Sequence, residues 1–338
     1  MKHIIFGGDG FVGRILAAKL VAEGEKVIIA DIKKGDCPHY AQCEWMHIDV
    51  TKPEDFKQLK INKSDAIYNL SAVMLDPIVT RAERHDFFWP VNVHGTQNIL
   101  DAMDKAGAKN LVHFTTDMIY GHTKTVPMYE THPVQPLGEY GESKLETERM
   151  AEKWRAEKGF NISLFRPRLI IGPGRLGILS KLFKLIDNNL PVPMIGSGKN
   201  PYQFVSVFDC ADAAYLAWKG GFPNEAYNLG SKTPPSVRKL LGRLIKEADS
   251  KTILIPTPGW AVKRTLDFLD LINMPLMDPE QYLIADEECV LDCSKLEREL
   301  GWEAKFNDDD MLVAAYREYR DGLEAAEKNQ KKGMQQAA

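Results

Sequence analysis

The stretch Lys2-His3-Ile4-Ile5-Phe6-Gly7-Gly8-Asp9-Gly10-Phe11-Val12-Gly13-Arg14-Ile15-Leu16-Ala17-Ala18-Lys19-Leu20-Val21 decides the fold. Its first five residues form a short apolar run suited to a buried parallel strand. Residues 11–21 then carry helical periodicity, which stops at Gly24. Lys26-Val27-Ile28-Ile29-Ala30-Asp31 reads as the next strand. A Gly-x-Gly-x-x-Gly (Gly8, Gly10, Gly13) therefore sits between strand and helix, inside a βαβ unit of roughly 30 residues. Gly7 and Gly8 permit the tight turn, Gly10 lets the backbone approach a pyrophosphate, and Gly13 lets helix and strand pack closely. Phe11 and Val12 open the helix, whose free N–H groups and positive dipole end suit phosphates. A glycine triplet alone also fits an ordinary corner; the surrounding strand, helix, second strand and terminal acid set that alternative aside.

Asp31 is that acid. A carboxylate at the end of the second strand accepts the ribose hydroxyls of NAD and repels a 2′-phosphate, so NAD is expected over NADP. Lys33 and Lys34 follow it, and the alternative for Asp31 is an exposed loop carboxylate.

Further strands are expected at residues 44–50, 65–70, 110–115 and 161–166, with helices at about 91–106 and 140–158. This alternation predicts an α/β fold, a doubly wound parallel sheet of Rossmann type covered on both faces. Beyond Gly172, Pro and Gly become frequent. Residues 1–171 are read as the NAD-binding domain, joined by a later strand near 226–230, and 172–338 mainly as a smaller substrate lobe. The tail from residue 324 is polar, as at a helix end.

The chain has 338 residues and a net charge of −4 from 43 basic and 47 acidic side chains. It carries no basic stripe, which argues against nucleic acid as the main partner. No signal peptide is expected, because the first strand begins at once, and no apolar run approaches the roughly 20 residues of a membrane span. Cys37, Cys43, Cys210, Cys289 and Cys293 are scattered without paired metal-ligand spacing, so reduced thiols in a cytoplasmic protein, and no metal, are expected.

Tyr140-Gly141-Glu142-Ser143-Lys144 places a phenol and an ammonium at i and i+4 on one helix face. A phenol titrates near 10, so a base at neutral pH needs a shift of roughly three units, or about 4 kcal/mol. A neighbouring ammonium and the positive nicotinamide of NAD⁺ are the expected sources, and Lys144 can also hold the nicotinamide ribose. A Tyr and a Lys four apart are commonplace on exposed helices. This pair gains weight by following Phe114-Thr115-Thr116-Asp117, where Thr116 is expected to supply the hydroxyl that helps proton transfer. Asp117 is read either as an acid or hydroxyl ligand or as a turn carboxylate.

At these residues the chain resembles the extended short-chain dehydrogenase/reductases, the NAD-dependent epimerase/dehydratase group. The likeness covers nearly the whole chain. Asp49-Val50 resembles the adenine-contacting pair, and Asn69-Leu70-Ser71-Ala72 the His-Leu-Ala-Ala strand end, so Asp49, Val50, Leu70, Ser71 and Ala72 are implied as cofactor residues. Asn92-Val93-His94-Gly95-Thr96, residues 116–121, 166–174, 226–230 and 294–302 resemble further family blocks. The resemblance implies a homodimer through two helices per subunit.

The departures bear on substrate. Met118 stands where 4,6-dehydratases carry a Glu, which puts elimination in doubt. Leu169 replaces an Asn, and Tyr202 stands where a diphosphate-binding Arg is expected; a second such Arg is missing near Tyr282. Arg168, Arg175 or Lys199 are candidates to compensate, against the alternative of surface cations. Residues 166–174 and the apolar stretch from Trp260 to Met277 also resemble the 3β-hydroxysteroid-dehydrogenase branch, the stretch being expected as lobe core. The leading expectation is an epimerase acting on a sugar, nucleotide- or lipid-linked. A net dehydrogenase or ketoreductase of a sugar or hydrophobic alcohol comes second, and a non-catalytic NAD-binding scaffold third.

Overall fold

The structure, a computed structural model, describes residues 1–35, 40–177 and 179–336, with side chains described as far as residue 325. In chain order its strands are β1 (His3–Phe6), β2 (Val27–Asp31), β3 (Glu44–His47), β4 (Ala66–Asn69), β5 (Asn110–Phe114), β6 (Asn161–Pro167), β7 (Leu169–Ile171), β8 (Val192–Ile195), β9 (Phe204–Ser206), β10 (Ala226–Leu229) and β11 (Leu254–Thr257). Its α-helices are α1 (Phe11–Ala22), α2 (Arg84–Trp89), α3 (Gly95–Ala106), α4 (Glu139–Lys158), α5 (Leu179–Asp187), α6 (Val207–Lys219), α7 (Val237–Glu247), α8 (Gly259–Leu271), α9 (Pro279–Tyr282), α10 (Ser294–Leu300) and α11 (Asp308–Gln336).

Seven strands form one sheet in the order β10-β6-β5-β4-β1-β2-β3, every neighbour pair parallel. This is a doubly wound, Rossmann-type sheet, and β10 returns to its edge as expected for residues 226–230. Strand residues alternate between two apolar layers, because the pleat turns successive side chains to opposite faces. Ile5, Ile29, Tyr68 and Val112 pack with Leu16, Leu20 and Ala214 on one side. Ile4, Phe6, Ile28 and Ile67 pack with Ile99, Leu100, Met103 and Trp154 on the other. A third apolar cluster belongs to the smaller lobe, where Phe183, Ile186, Leu240, Leu244, Leu312 and Tyr316 join α5, α7 and α11. Two short parallel pairs, β8 with β11 and β7 with β9, complete the lobe.

Strand order reverses at β1, which lies between β2 and β4. Ligands bind such sheets outside the carboxyl ends of the strands at this switch. The ends of β1 and β4 approach so closely that a Cβ on Gly7 would lie 2.7 Å from the Ser71 nitrogen. Gly7 has φ +70, a left-handed conformation that favours glycine.

Several expectations need correction. The third strand stops at His47, because the carboxylate of Asp49 accepts hydrogen bonds from the Thr51 backbone N–H (3.0 Å) and hydroxyl (2.7 Å) and turns the chain. The helix expected from 91 begins at Arg84 and passes through a π-helical turn, Pro90–His94, because Pro90 has no N–H to donate. The stretch from Trp260 to Met277 is not lobe core: Trp260 is 76% exposed, and Phe268, Leu271, Met274 and Leu276 are also exposed. The polar tail continues α11 as helix. No described helix is long and apolar enough to cross a membrane. Cys210, Cys289 and Cys293 are thiols outside any disulfide; Cys37 lies outside the described residues.

Candidate active site

One cavity of about 410 Å³ runs along the carboxyl ends of the central strands. Gly7, Gly10, Phe11, Val12, Gly13, Asp31, Asp49, Val50, Leu70, Ser71 and Ala72 line one end. Thr116, Asp117, Tyr140 and Lys144 line it further along. Every residue singled out in the sequence as a cofactor or proton-handling candidate therefore faces the same space.

The glycine end fits a dinucleotide. A Cβ on Gly13 would sit 2.4 Å from the Gly7 carbonyl oxygen, and one on Gly10 would sit 2.9 Å from it. Only hydrogen fits there, so the backbone can close on a phosphate. α1 has no side-chain cap and no acid in its first turn. Its first N–H groups, which a helix cannot satisfy internally, remain for an anion. Asp31 is held at the end of β2 by the Asp9 N–H (2.9 Å).

The proton-handling end is buried. Tyr140 is 5% exposed and Lys144 2%. They fall one turn apart on α4, and Lys144 Nζ donates to the Phe114 carbonyl at 3.2 Å. Burial lowers the Lys144 ammonium to about 8. Burial also pushes the Tyr140 phenol up, while a hydrogen bond with Thr116 and the charge of Arg175 pull it back. Glu280 and Asp117 add to the rise. The rise wins, so in the chain alone the phenol stands above its ordinary value and not below it as a base at neutral pH needs. When bound, NAD supplies the hydride acceptor and, as NAD⁺, a positive charge beside this end of the cavity.

The two threonines of Phe114-Thr115-Thr116 separate by role. Thr115 Oγ1 donates to Glu148 Oε1 (2.7 Å), which faces the scaffold. Thr116 caps the short 3₁₀ turn Asp117–Tyr120 by accepting from the Met118 N–H (3.2 Å), and its hydroxyl also meets Tyr140. Tyr120 closes that turn, and its OH donates to Asn228 Oδ1 (2.6 Å) and accepts from Arg166 Nη1 (2.9 Å). Arg166 pairs with Glu148 on α4 at 2.6 Å. These contacts join three of the family-like blocks, residues 116–121, 166–174 and 226–230.

Asp117 is both a turn carboxylate and an ion-pair partner, 2.6 Å from Arg168. Burial raises its carboxyl, and Arg168 opposes that rise. Arg168 is 3% exposed and lies over the Tyr202 ring, 5.4 Å from its centroid. It is therefore not a surface cation. Arg175 lines the cavity and approaches Met74 Sδ at 3.3 Å, whereas Lys199 is exposed and outside the lining. The remaining wall is mostly apolar, with Met74, Leu75, Met118, Leu169 and Ile170.

Two residues of the site carried no assigned role in the sequence. Asn92, in the π-turn, donates to Ser143 Oγ (3.0 Å) on α4 and accepts from the Val73 N–H (3.0 Å), so it ties the helix of Tyr140 and Lys144 to the loop after β4. The family-like block around it was its signal. Glu280, in α9, accepts from the backbone N–H groups of Tyr140 (2.9 Å) and Gly141 (2.9 Å). Nothing in its local sequence marked it. Among the described residues no group of three or more His, Cys, Asp or Glu could hold a metal ion.

This fold and cavity define an NAD-linked enzyme class with a Tyr-x-x-x-Lys helix. Residues 3–230 match the NAD dependent epimerase/dehydratase family, to which the chain belongs, and NAD is its cofactor. The UDP-glucose 4-epimerase of Streptococcus mutans is 25% identical over 347 residues, covering 93% of this chain and 95% of that protein. The N-acetyl-alpha-D-glucosaminyl-diphospho-ditrans,octacis-undecaprenol 4-epimerase of Escherichia coli O157:H7 is 28% identical over 253 residues, covering 73% and 72%. The crystal structure of a UDP-glucose 4-epimerase from Thermotoga maritima with UDP-glucose superposes with a TM-score of 0.77 at 22% identity, over 96% of this chain and all (100%) of that one.

Proposed function

We propose that the protein is an epimerase of a nucleotide- or lipid-linked sugar, using NAD in an internal redox cycle. The observation that supports this best is the meeting of Thr116, Tyr140 and Lys144 with the glycine turn in one cavity. Tyr140 takes the proton of a substrate hydroxyl, and Thr116 holds that oxygen through its own hydroxyl. Lys144 orients the nicotinamide ribose. Asp31 accepts the adenosine ribose hydroxyls, residues 7 and 10–13 cradle the pyrophosphate, Asp49 and Val50 flank adenine, and residues 70–72 back the nicotinamide side. In this reading residues 1–171 with 226–230 bind NAD, and the remainder after 172 mainly shapes the substrate end.

An epimerase returns the proton and hydride that it removes, so it needs no free cofactor in each turnover. Relatives described as epimerases act on a UDP-sugar and on a diphospho-undecaprenol sugar. Met118, a thioether where an eliminating enzyme needs a base, disfavours dehydration. A homodimer follows the family likeness, and the thiols of Cys210, Cys289 and Cys293, outside any disulfide, suit a cytoplasmic setting.

The apolar far wall and the engagement of Arg168 by Asp117 favour a second reading, a net dehydrogenase of a hydrophobic alcohol. Denaturing fresh protein and identifying released nucleotide separates the two. Stoichiometric retained NAD supports the internal cycle. An empty site that binds NAD reversibly, with NADH formed from an added alcohol, overturns it.

A further inference from the structure

The sequence around the tyrosine, Gly138-Glu139-Tyr140-Gly141, sets two glycines at a helix start. Glycine in a helix costs about 1 kcal/mol relative to alanine, and α4 has no side-chain cap from its own N-cap residue, Gly138. Yet Gly138 has φ −170, extended backbone open to any residue, so conformation does not explain it. Space does. A Cβ on Gly138 would meet Glu280 Oε1 at 2.8 Å, Cγ at 3.0 Å and Cδ at 3.2 Å, with no other side chain among the nearest atoms. A Cβ on Gly141 would meet Glu280 Oε2 at 2.7 Å. The two glycines open a slot, and the Glu280 carboxyl fills it.

Glu280 is 1% exposed. Its oxygens take the N–H groups of Tyr140 and Gly141, two of the donors that a helix start leaves unsatisfied. The backbone that carries this carboxyl is itself fixed. Asp278 caps α9 by accepting from the Glu280 N–H (3.0 Å), and Arg84 pairs with Asp278 (3.4 Å) and with Asp270 of α8. Gln281, next in sequence, lines the cavity. One short corner of the lobe thus touches both the cavity and the backbone of the tyrosine.

We propose that Glu280 is a positioning residue: it clamps the start of α4 from the lobe and so sets where the Tyr140 phenol stands in the cavity. The inference rests on the reading of Tyr140 as proton acceptor for its importance, but not for its test. Loss of activity in Tyr140→Phe bears on the chemistry, whereas the test below reads where the phenol is.

The test uses the full chain with NAD added, labelled with ¹³Cζ-tyrosine. The Tyr140 resonance is the one lost in Tyr140→Phe. Phe88, Thr116, Asp117, Glu280, Arg175 and Lys144 surround or act near this ring, so its shift reports placement. Glu280→Ala is expected to move or broaden the resonance. Glu280→Gln, which keeps an acceptor oxygen of the same shape, is expected to restore it. Gly138→Ala is expected to mimic Glu280→Ala, because its methyl displaces the carboxyl. Combined with Glu280→Ala it should add nothing, since the two changes remove one contact. A Tyr140 resonance unmoved in folded Glu280→Ala and in Gly138→Ala overturns the proposal. So does a Gly138→Ala effect that persists undiminished on top of Glu280→Ala.

Discussion

The two ends of the cavity are built in different ways. The glycine end is assembled from consecutive residues, 7–13, with Asp31 one βαβ unit later, and its working groups are backbone N–H atoms. The other end is assembled from Thr116, Asp117, Tyr140, Lys144 and Arg168, backed by Tyr202 and Glu280, side chains brought together by five separate elements or loops. A backbone site depends on what is missing, a Cβ at Gly10 and Gly13. A side-chain site depends on what its neighbours do to charge and position. In the proposed reading the first tolerates little substitution but is chemically passive, and the second sets the reaction.

The contrast can be broken by experiment. The largest effect is expected at the phenol. Tyr140→Phe should lower epimerisation of UDP-glucose, or of the true substrate once found, by about 10³-fold while NAD still binds. Equal loss of NAD binding would mean the two ends are not separable. Arg168→Met should cost about 3–5 kcal/mol in urea unfolding, because Asp117 is left buried without its partner. The double change with Asp117→Leu should recover most of that loss. A silent Arg168→Met would return Arg168 to the surface-cation reading that its burial rejects.

Lys144 tests the electrostatic side. Its ammonium is lowered from 10.5 to about 8 by burial. Between those values the unfolded chain binds more protons than the folded one, so stability rises with pH across that window. Below about 8 the charged amine is a constant penalty. Lys144→Met should therefore raise the urea midpoint at neutral pH, by about 2–3 kcal/mol in unfolding free energy, and flatten the rise between pH 8 and 10. Loss of stability instead would show that the Phe114 carbonyl contact outweighs desolvation. A smaller effect is expected at the glycine end. Asp31→Asn should narrow the preference for NAD over NADP by about tenfold in titration, near 1.4 kcal/mol. The smallest is Lys199→Ala, within about 0.5 kcal/mol in stability and without effect on nucleotide binding.

The contrast also explains what could be read before the fold was known. Residues 2–31 spell out strand, turn, helix, strand and acid because hydrophobic period and glycine placement are local properties. The parallel sheet and the preference for NAD followed from that same local grammar, whereas the family came from a resemblance carried by motifs along nearly the whole chain. Tyr140 and Lys144 share a face because four residues make one helical turn, which sequence spacing alone fixes. The sequence singled out Thr116 but did not say what Thr115 does: its hydroxyl is spent on Glu148, while that of Thr116 faces Tyr140. It did not say that Arg168 is buried against Asp117 and Tyr202, that the Trp260–Met277 stretch is exposed, or that Glu280 holds the start of α4. Periodicity reports a segment's own faces. It carries no information on which distant side chain fills the space a glycine leaves, or which carboxylate meets which guanidinium. Those pairings depend on how the lobe packs on the sheet, and only the tertiary structure decides them.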